Sequence, residues 1–153
     1  WDAFRFPERF EGPVVVIEDD PHLSGTAAAE KLAERGHVVT IVTPHMHAGA
    51  DLPVHHAPAL YRRLAALGIR VLPARFVTAI EPQRLVYEER FGGAVGEIAH
   101  AGPVILAMGN SANNGLAREL ADSGLDIQLA GDALAPRQVD IAILDGERAG
   151  WMI

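Results

Sequence analysis

The chain has 153 residues, 49% of them hydrophobic, with 13 basic against 20 acidic side chains for a net charge of −7, and it has no cysteine. The length supports one domain with a real core, and the acidic balance argues against nucleic acid or an anionic membrane as partner, since both need a cationic footprint. Without cysteine, this chain alone builds no disulfide, thiolate zinc site, cysteine nucleophile or iron–sulfur cluster; with no apolar run near the roughly twenty residues of a membrane helix and no signal-peptide pattern, a soluble, cytoplasmic protein is expected.

Residues 1–12 place Trp1, Phe4, Phe6 and Phe10 among charges, which reads as an irregular arm packing on a neighbouring surface. Residues 14–17 are a β-branched run bounded by Pro13 and three carboxylates, which suits a strand buried on both faces of a parallel sheet. Asp20-Pro21 is a helix start signal, with the Asp20 side chain expected to accept from the first free N–H groups. The alanine-rich helix stops at Arg35-Gly36, and residues 37–43 supply a second strand. Strand, helix and strand within about thirty residues form a βαβ unit, the nucleus of a dinucleotide-binding fold.

A connection over 44–58 follows, with three prolines and His45, His47, His55 and His56; long connections of this kind are usually functional or mobile. A short helix over 59–67 carries Leu60, Leu64 and Leu67 on one face and closes at Gly68. Residues 69–72 begin a third strand. Over 74–99 the periodicity shortens towards two, with Pro82 and Gly92-Gly93 as turns, which predicts an antiparallel meander laid over the parallel sheet. Residues 103–109 read as a second buried parallel strand, 112–123 as a helix stopped by Gly124, 126–130 as another strand, and 137–150 as a last amphipathic helix introduced by Ala135-Pro136. The predicted fold class is α/β: a three-layer, Rossmann-like domain with a parallel sheet and a small antiparallel meander.

This order of elements, with the run Ala-Glu-Lys-Leu-Ala-x-x-Gly-His-x-Val-Thr-Ile-Val at 29–42 and Gly-Asp-Ala-x-Ala-Pro at 131–136, resembles the small nucleotide-binding-type domain of the trimethylamine and dimethylamine dehydrogenases. Histamine dehydrogenase, N-methylproline demethylases and 2,4-dienoyl-CoA reductase are related enzymes. The stretches that carry the resemblance are 14–44, 61–82, 104–109 and 131–150. It implies a parent polypeptide with a barrel holding FMN and a 4Fe-4S cluster, followed by FAD-like and NAD-like lobes. The chain is then the NAD-like lobe, 131–153 belong to the returning edge of the FAD-like lobe, and the remaining domains of the parent are the partners. In related disulfide reductases the Gly-Asp motif meets the FAD ribitol, and Asp132 is the matching position. The aromatic residues near both ends, Trp1 and Trp151 included, are expected to be severed contacts of a piece of something longer.

A dinucleotide in this fold lies at the carboxyl ends of the strands, which makes Asp20, His22, Ser24, Gly25, Thr43, Gly109 and Asn110 the cofactor-binding candidates. The glycine fingerprint is broken, however. Between Ile17 and Thr26 there is only Gly25, Pro21 removes a donor, and Glu18, Asp19 and Asp20 add like charge. Thr43 stands where an Asp or Glu would hold an NAD ribose, and the cations nearest for a 2′-phosphate are His45 and His47. No cofactor is assigned to this chain with certainty, and ADP or NAD(P) are the ligands to test. The favoured reading is a lobe that scaffolds a larger enzyme; the alternatives are a working NAD(P)H- or ADP-binding module and an assembly domain, a homodimer included, docking through Trp1, Phe4, Phe6 and Trp151.

Other constellations point to no catalytic residue and no metal. His45, His47, Asp51, His55 and His56 are close enough for a zinc or nickel site, but 55 and 56 point apart in extended chain, so solvated loop histidines are expected. Ser24 and Ser111 lie outside a Gly-x-Ser-x-Gly elbow and read as helix-start hydroxyls. Glu88-Glu89 read as a solvated strand edge, since successive strand residues face opposite sides.

Overall fold

The computed structural model describes residues 2–100 and 102–152 and divides into two compact units, Trp1–Gly109 and Asn110–Ile153. Trp1, one of the expected docking aromatics, lies outside the described residues.

The first unit is organised around β1 (Val14–Glu18), whose five residues are all buried. The run is apolar throughout because both faces are covered. Val14 and Val16 face a core made with Ala28, Ala29 and Leu32 of α2 (Leu23–Ala33), Val39 and Ile41 of β2 (Val39–Val42), and Leu60 and Leu64 of α3 (Ala57–Ala66). Val15 and Ile17 face the other way, onto Val42, onto Leu72 of β3 (Arg70–Leu72), and onto Leu85. Small residues on α2 let it lie close to the sheet. The strands run parallel in the order β3-β2-β1-β7, with β7 at Val104–Ala107, and the register pairs Val16 with Ile41 on one side and Ile105 on the other.

Leu85 belongs to the meander, β4 (Arg75–Glu81), β5 (Arg84–Glu89) and β6 (Val95–Ala99), which is antiparallel with a register shift between Val77 and Ala79. Its inward residues Val77, Leu85 and Ile98 cover the second face of the parallel sheet. The outward side keeps Arg84 bonded to Glu81 and Glu97, as expected of a solvated face. The helix stops at Gly36 and Gly68 are as the sequence predicts: both have positive φ, +90° and +67°, where a side chain would be strained.

Three local expectations are corrected. The first twelve residues are not wholly irregular: α1 (Asp2–Arg5) and a 3-10 turn (Pro7–Arg9) form because Ala3 is buried on the core, Pro7 opens the turn and Arg9 lies 3.9 Å over the Phe6 ring. The helix predicted over 112–123 shrinks to α4 (Gly115–Glu119), since Asn113-Asn114 favour turn geometry over helix interior. No strand forms over 126–130: its unit holds no other strand among the described residues to bond with, and Gln128 bonds locally to Asp126 at 3.0 Å.

The second unit consists of α4, a 3-10 turn (Gly131–Ala133) and α5 (Val139–Trp151). Asp145 is buried on α5 and held by Arg137. Val139, Ile143, Trp151 and Met152 are exposed. No helix among the described residues is long and apolar enough to cross a membrane.

Candidate functional site

The carboxyl ends of β1 and β2 define the place where a parallel sheet of this type receives a ligand. After β1, the backbone N–H groups of Asp19 and Asp20 both donate to Ala107 O at 3.0 Å, so the chain is held against β7 before it turns. The helix then starts at Leu23, later than Asp20-Pro21 suggests, with His22 as the N-terminal cap and no side-chain cap bond. Asp20 therefore does not cap α2. Its carboxylate instead accepts from the His22 ring at 2.5 Å, the His22 N–H at 3.2 Å and the Ser24 hydroxyl at 3.0 Å, closing the turn ahead of the helix. Burial alone would raise the Asp20 carboxyl, but these bonds outweigh it and hold the group below the usual carboxylate range. The other His22 ring nitrogen is 3.7 Å from Asp51.

Glu18 takes the place the sequence reading left to Asp20. It ends β1, is fully buried, and lies beneath the opening turn of α2. Both carboxylate oxygens are 3.3 Å from the Gly49 N–H, and the nearby Thr43 hydroxyl and Thr26 backbone also favour its charged form. Burial pushes its pKa up from 4.5 to about 7, the Gly49 bond working against the rise and the charge of Asp20 adding to it. Gly25 is a glycine for this reason: a β-carbon there would stand 2.7 Å from Glu18 Cγ. The sequence held a signal that was passed over, an acidic residue closing an otherwise apolar buried strand with a glycine seven positions on.

Thr43 is fully buried just past β2, with its N–H bonded to Leu72 O at 3.1 Å and its hydroxyl accepting from the His45 N–H at 3.2 Å. Asp20, His22, Ser24, Gly25, Thr43 and Gly109 belong to the first unit, Asn110 and Asp132 to the second. The fold implies a dinucleotide whose pyrophosphate rests on the α2 N-terminus, and the residues do not fit it there. The Glu18 side chain packs against Gly25 in that turn, Pro21 lacks an N–H, and the Asp20 carboxylate adds negative charge just ahead of the helix. At 4 Å each like charge opposes a phosphate by about 1 kcal/mol in bulk water and about 4 kcal/mol at an effective dielectric near 20.

The histidine-rich connection is ordered rather than extended. His45 Nε2 lies 3.0 Å from Asp19 O, Ala48 N–H donates to the Tyr61 hydroxyl at 2.9 Å, and Asp51 N–H donates to Pro21 O at 3.1 Å. His55 and His56 do not point apart; their ring centroids are 4.3 Å from each other, because the chain is already turning into α3. Among the described residues no group of three or more His, Cys, Asp or Glu side chains could hold a metal. Beside the loop an open cavity of about 400 Å³ is lined by Asp19, His45, Phe76, Glu88, Glu89 and Arg90. Glu88 and Glu89 are exposed as expected, but they end β5, the central strand of the meander, and not a strand edge: Glu88 is paired with Phe76 on one side and Val95 on the other.

The profile of the OYE-like second alpha/beta domain family matches residues 4–114. The chain belongs to that family. It is 28% identical over 154 residues to an NADH oxidase of Thermoanaerobacter brockii, a match that spans all of this chain and 23% of that protein. It superposes on histamine dehydrogenase from Rhizobium sp. 4-9 with a TM-score of 0.81 at 26% identity, over 95% of this chain and 24% of that one. Thioredoxin reductase of T. acidophilum shares the fold, with a TM-score of 0.63 at 20% identity over 98% of this chain and 53% of the reductase. The expected resemblance to the amine dehydrogenase group is thus borne out, and the chain spans about a quarter of the length of the first two relatives.

Proposed function

We propose that this chain is the non-catalytic, nucleotide-binding-like lobe of a flavin-dependent oxidoreductase similar to the amine dehydrogenases and NADH oxidase. FMN and a 4Fe-4S cluster, which supply the redox chemistry, are held by other domains of the parent, and the lobe serves as scaffold against them. Glu18 is the observation that carries this reading, because a buried carboxyl packs against Gly25 in the opening turn of α2, where a working dinucleotide site brings its phosphate. The share of the relatives that the chain spans also supports a domain of a longer polypeptide.

Isothermal titration of the chain with ADP, NADH and NADPH at low salt tests the reading. No heat is expected at micromolar ligand. Micromolar binding of any of the three, lost on Thr43→Val and Ser24→Ala, would replace the scaffold with a cofactor module.

A further inference from the structure

Glu18 joins parts of the first unit that are far apart in sequence. It extends from the end of β1, and the groups facing it come from every segment packed around it: Thr26 on α2, Thr43 past β2, Gly49 in the 44–56 connection, and Asp20 on its own strand's extension. Tyr61 of α3 also lies within its field, since the charge of Glu18 raises the phenol alongside burial. The bond to Gly49 is the one that reaches the connection. Gly49 has φ +65°, and a β-carbon there would stand 2.8 Å from Leu52 Cδ1, so the bend that aims its N–H at Glu18 needs a residue without a side chain. Neighbouring Ala48 is buried and donates to Tyr61.

We propose that the Glu18 carboxyl is a proton-operated latch: in its neutral form it keeps the loop around Gly49 seated over the end of β1, and its ionisation favours lifting of that loop. The physical basis is desolvation. A neutral carboxyl is tolerated under the loop, whereas a carboxylate is stabilised far better by water than by the few dipoles around it, with Asp20 adding repulsion. Lifting the loop lets water reach the charge. Closed loop with bound proton then exchanges with open loop, carboxylate and a proton released to solvent, in the window between the ordinary value of 4.5 and about 7, above which the closed form is itself ionised. The same connection carries His45, so lifting would also reshape the cavity beside Phe76 and Arg90. None of this depends on whether a nucleotide binds.

Amide hydrogen exchange followed by NMR on the full chain, from about half a unit below pH 4.5 to about one unit above pH 7, reads the latch directly. After correction for the intrinsic pH dependence of exchange, the protection of the Gly49 amide is expected to fall by up to about tenfold per pH unit between 4.5 and about 7 and to level off above 7. In Glu18→Gln it should stay level, while Val16 and Ile41 report global unfolding and remain far better protected. A level Gly49 profile in the unaltered chain, an equal slope in Glu18→Gln, or Gly49 exchanging together with Val16 and Ile41 would overturn the proposal. Should Glu18→Gln fail to fold, the carbon-13 titration of the Glu18 carboxyl in the unaltered chain decides: a midpoint near 7 accompanied by the Gly49 slope supports the latch, and a midpoint in the ordinary glutamate range refutes it.

Discussion

Replacing Glu18 by glutamine should change how the stability of the chain depends on pH. The folded-state pKa of Glu18 is raised from 4.5 to about 7, so between those values the folded chain binds a proton that the unfolded chain has released. Stability from this group is fully present below pH 4.5 and is lost as pH rises through 7, after which the loss is complete. A displacement of roughly 2.5 pH units at about 1.4 kcal/mol each makes the whole effect about 3 kcal/mol. The Asp20 shift has the opposite sign and acts elsewhere, its contribution being lost only as pH falls below the ordinary aspartate range. The assay is urea unfolding followed by far-ultraviolet circular dichroism at half-unit steps from pH 5 to 8.5. With a urea slope of about 1–3 kcal/mol per molar, the unaltered midpoint should drop by about 1–3 M across the range, and Glu18→Gln should lose most of that slope. A level profile in the unaltered chain, or an undiminished slope in the variant, would refute the assignment of a buried, poised carboxyl.

Gly25→Ala should destabilise the first unit by about 1–3 kcal/mol, because its methyl group meets Glu18 Cγ; adding Glu18→Ala should return part of that loss, which a double-mutant cycle in urea will measure. Tyr61→Phe removes the acceptor of the Ala48 N–H and should cost about 1–3 kcal/mol, with faster hydrogen exchange at Ala48 as its local signature. Leu85→Ala opens a cavity between meander and parallel sheet and should cost about 2–5 kcal/mol in thermal or urea unfolding. In the full-length parent, Ser24→Ala and Asp20→Asn should leave flavin reduction by substrate unchanged; a large fall in that rate would count against the non-catalytic reading.

Much of the fold was legible because its signals are local. A β-branched run such as 14–17 has one economical use, a strand covered on both faces, and Gly36 and Gly68 mark stops through backbone conformations that other residues resist. The alternation over 74–99 fixed the meander in the same way, since period two places every second side chain on one face. The run at 29–42 carried the family, which the match over 4–114 shows.

What the sequence could not decide were matters settled by distant neighbours. Whether 126–130 becomes a strand depends on a bonding partner, which propensity does not supply. Asp20 and Glu18 read alike as acidic residues after an apolar run. Only the packing of α2, the turn at Gly49 and the end of β2 around Glu18 leaves Asp20 to close a turn and seals Glu18 away from water, where its charge becomes costly and its proton matters.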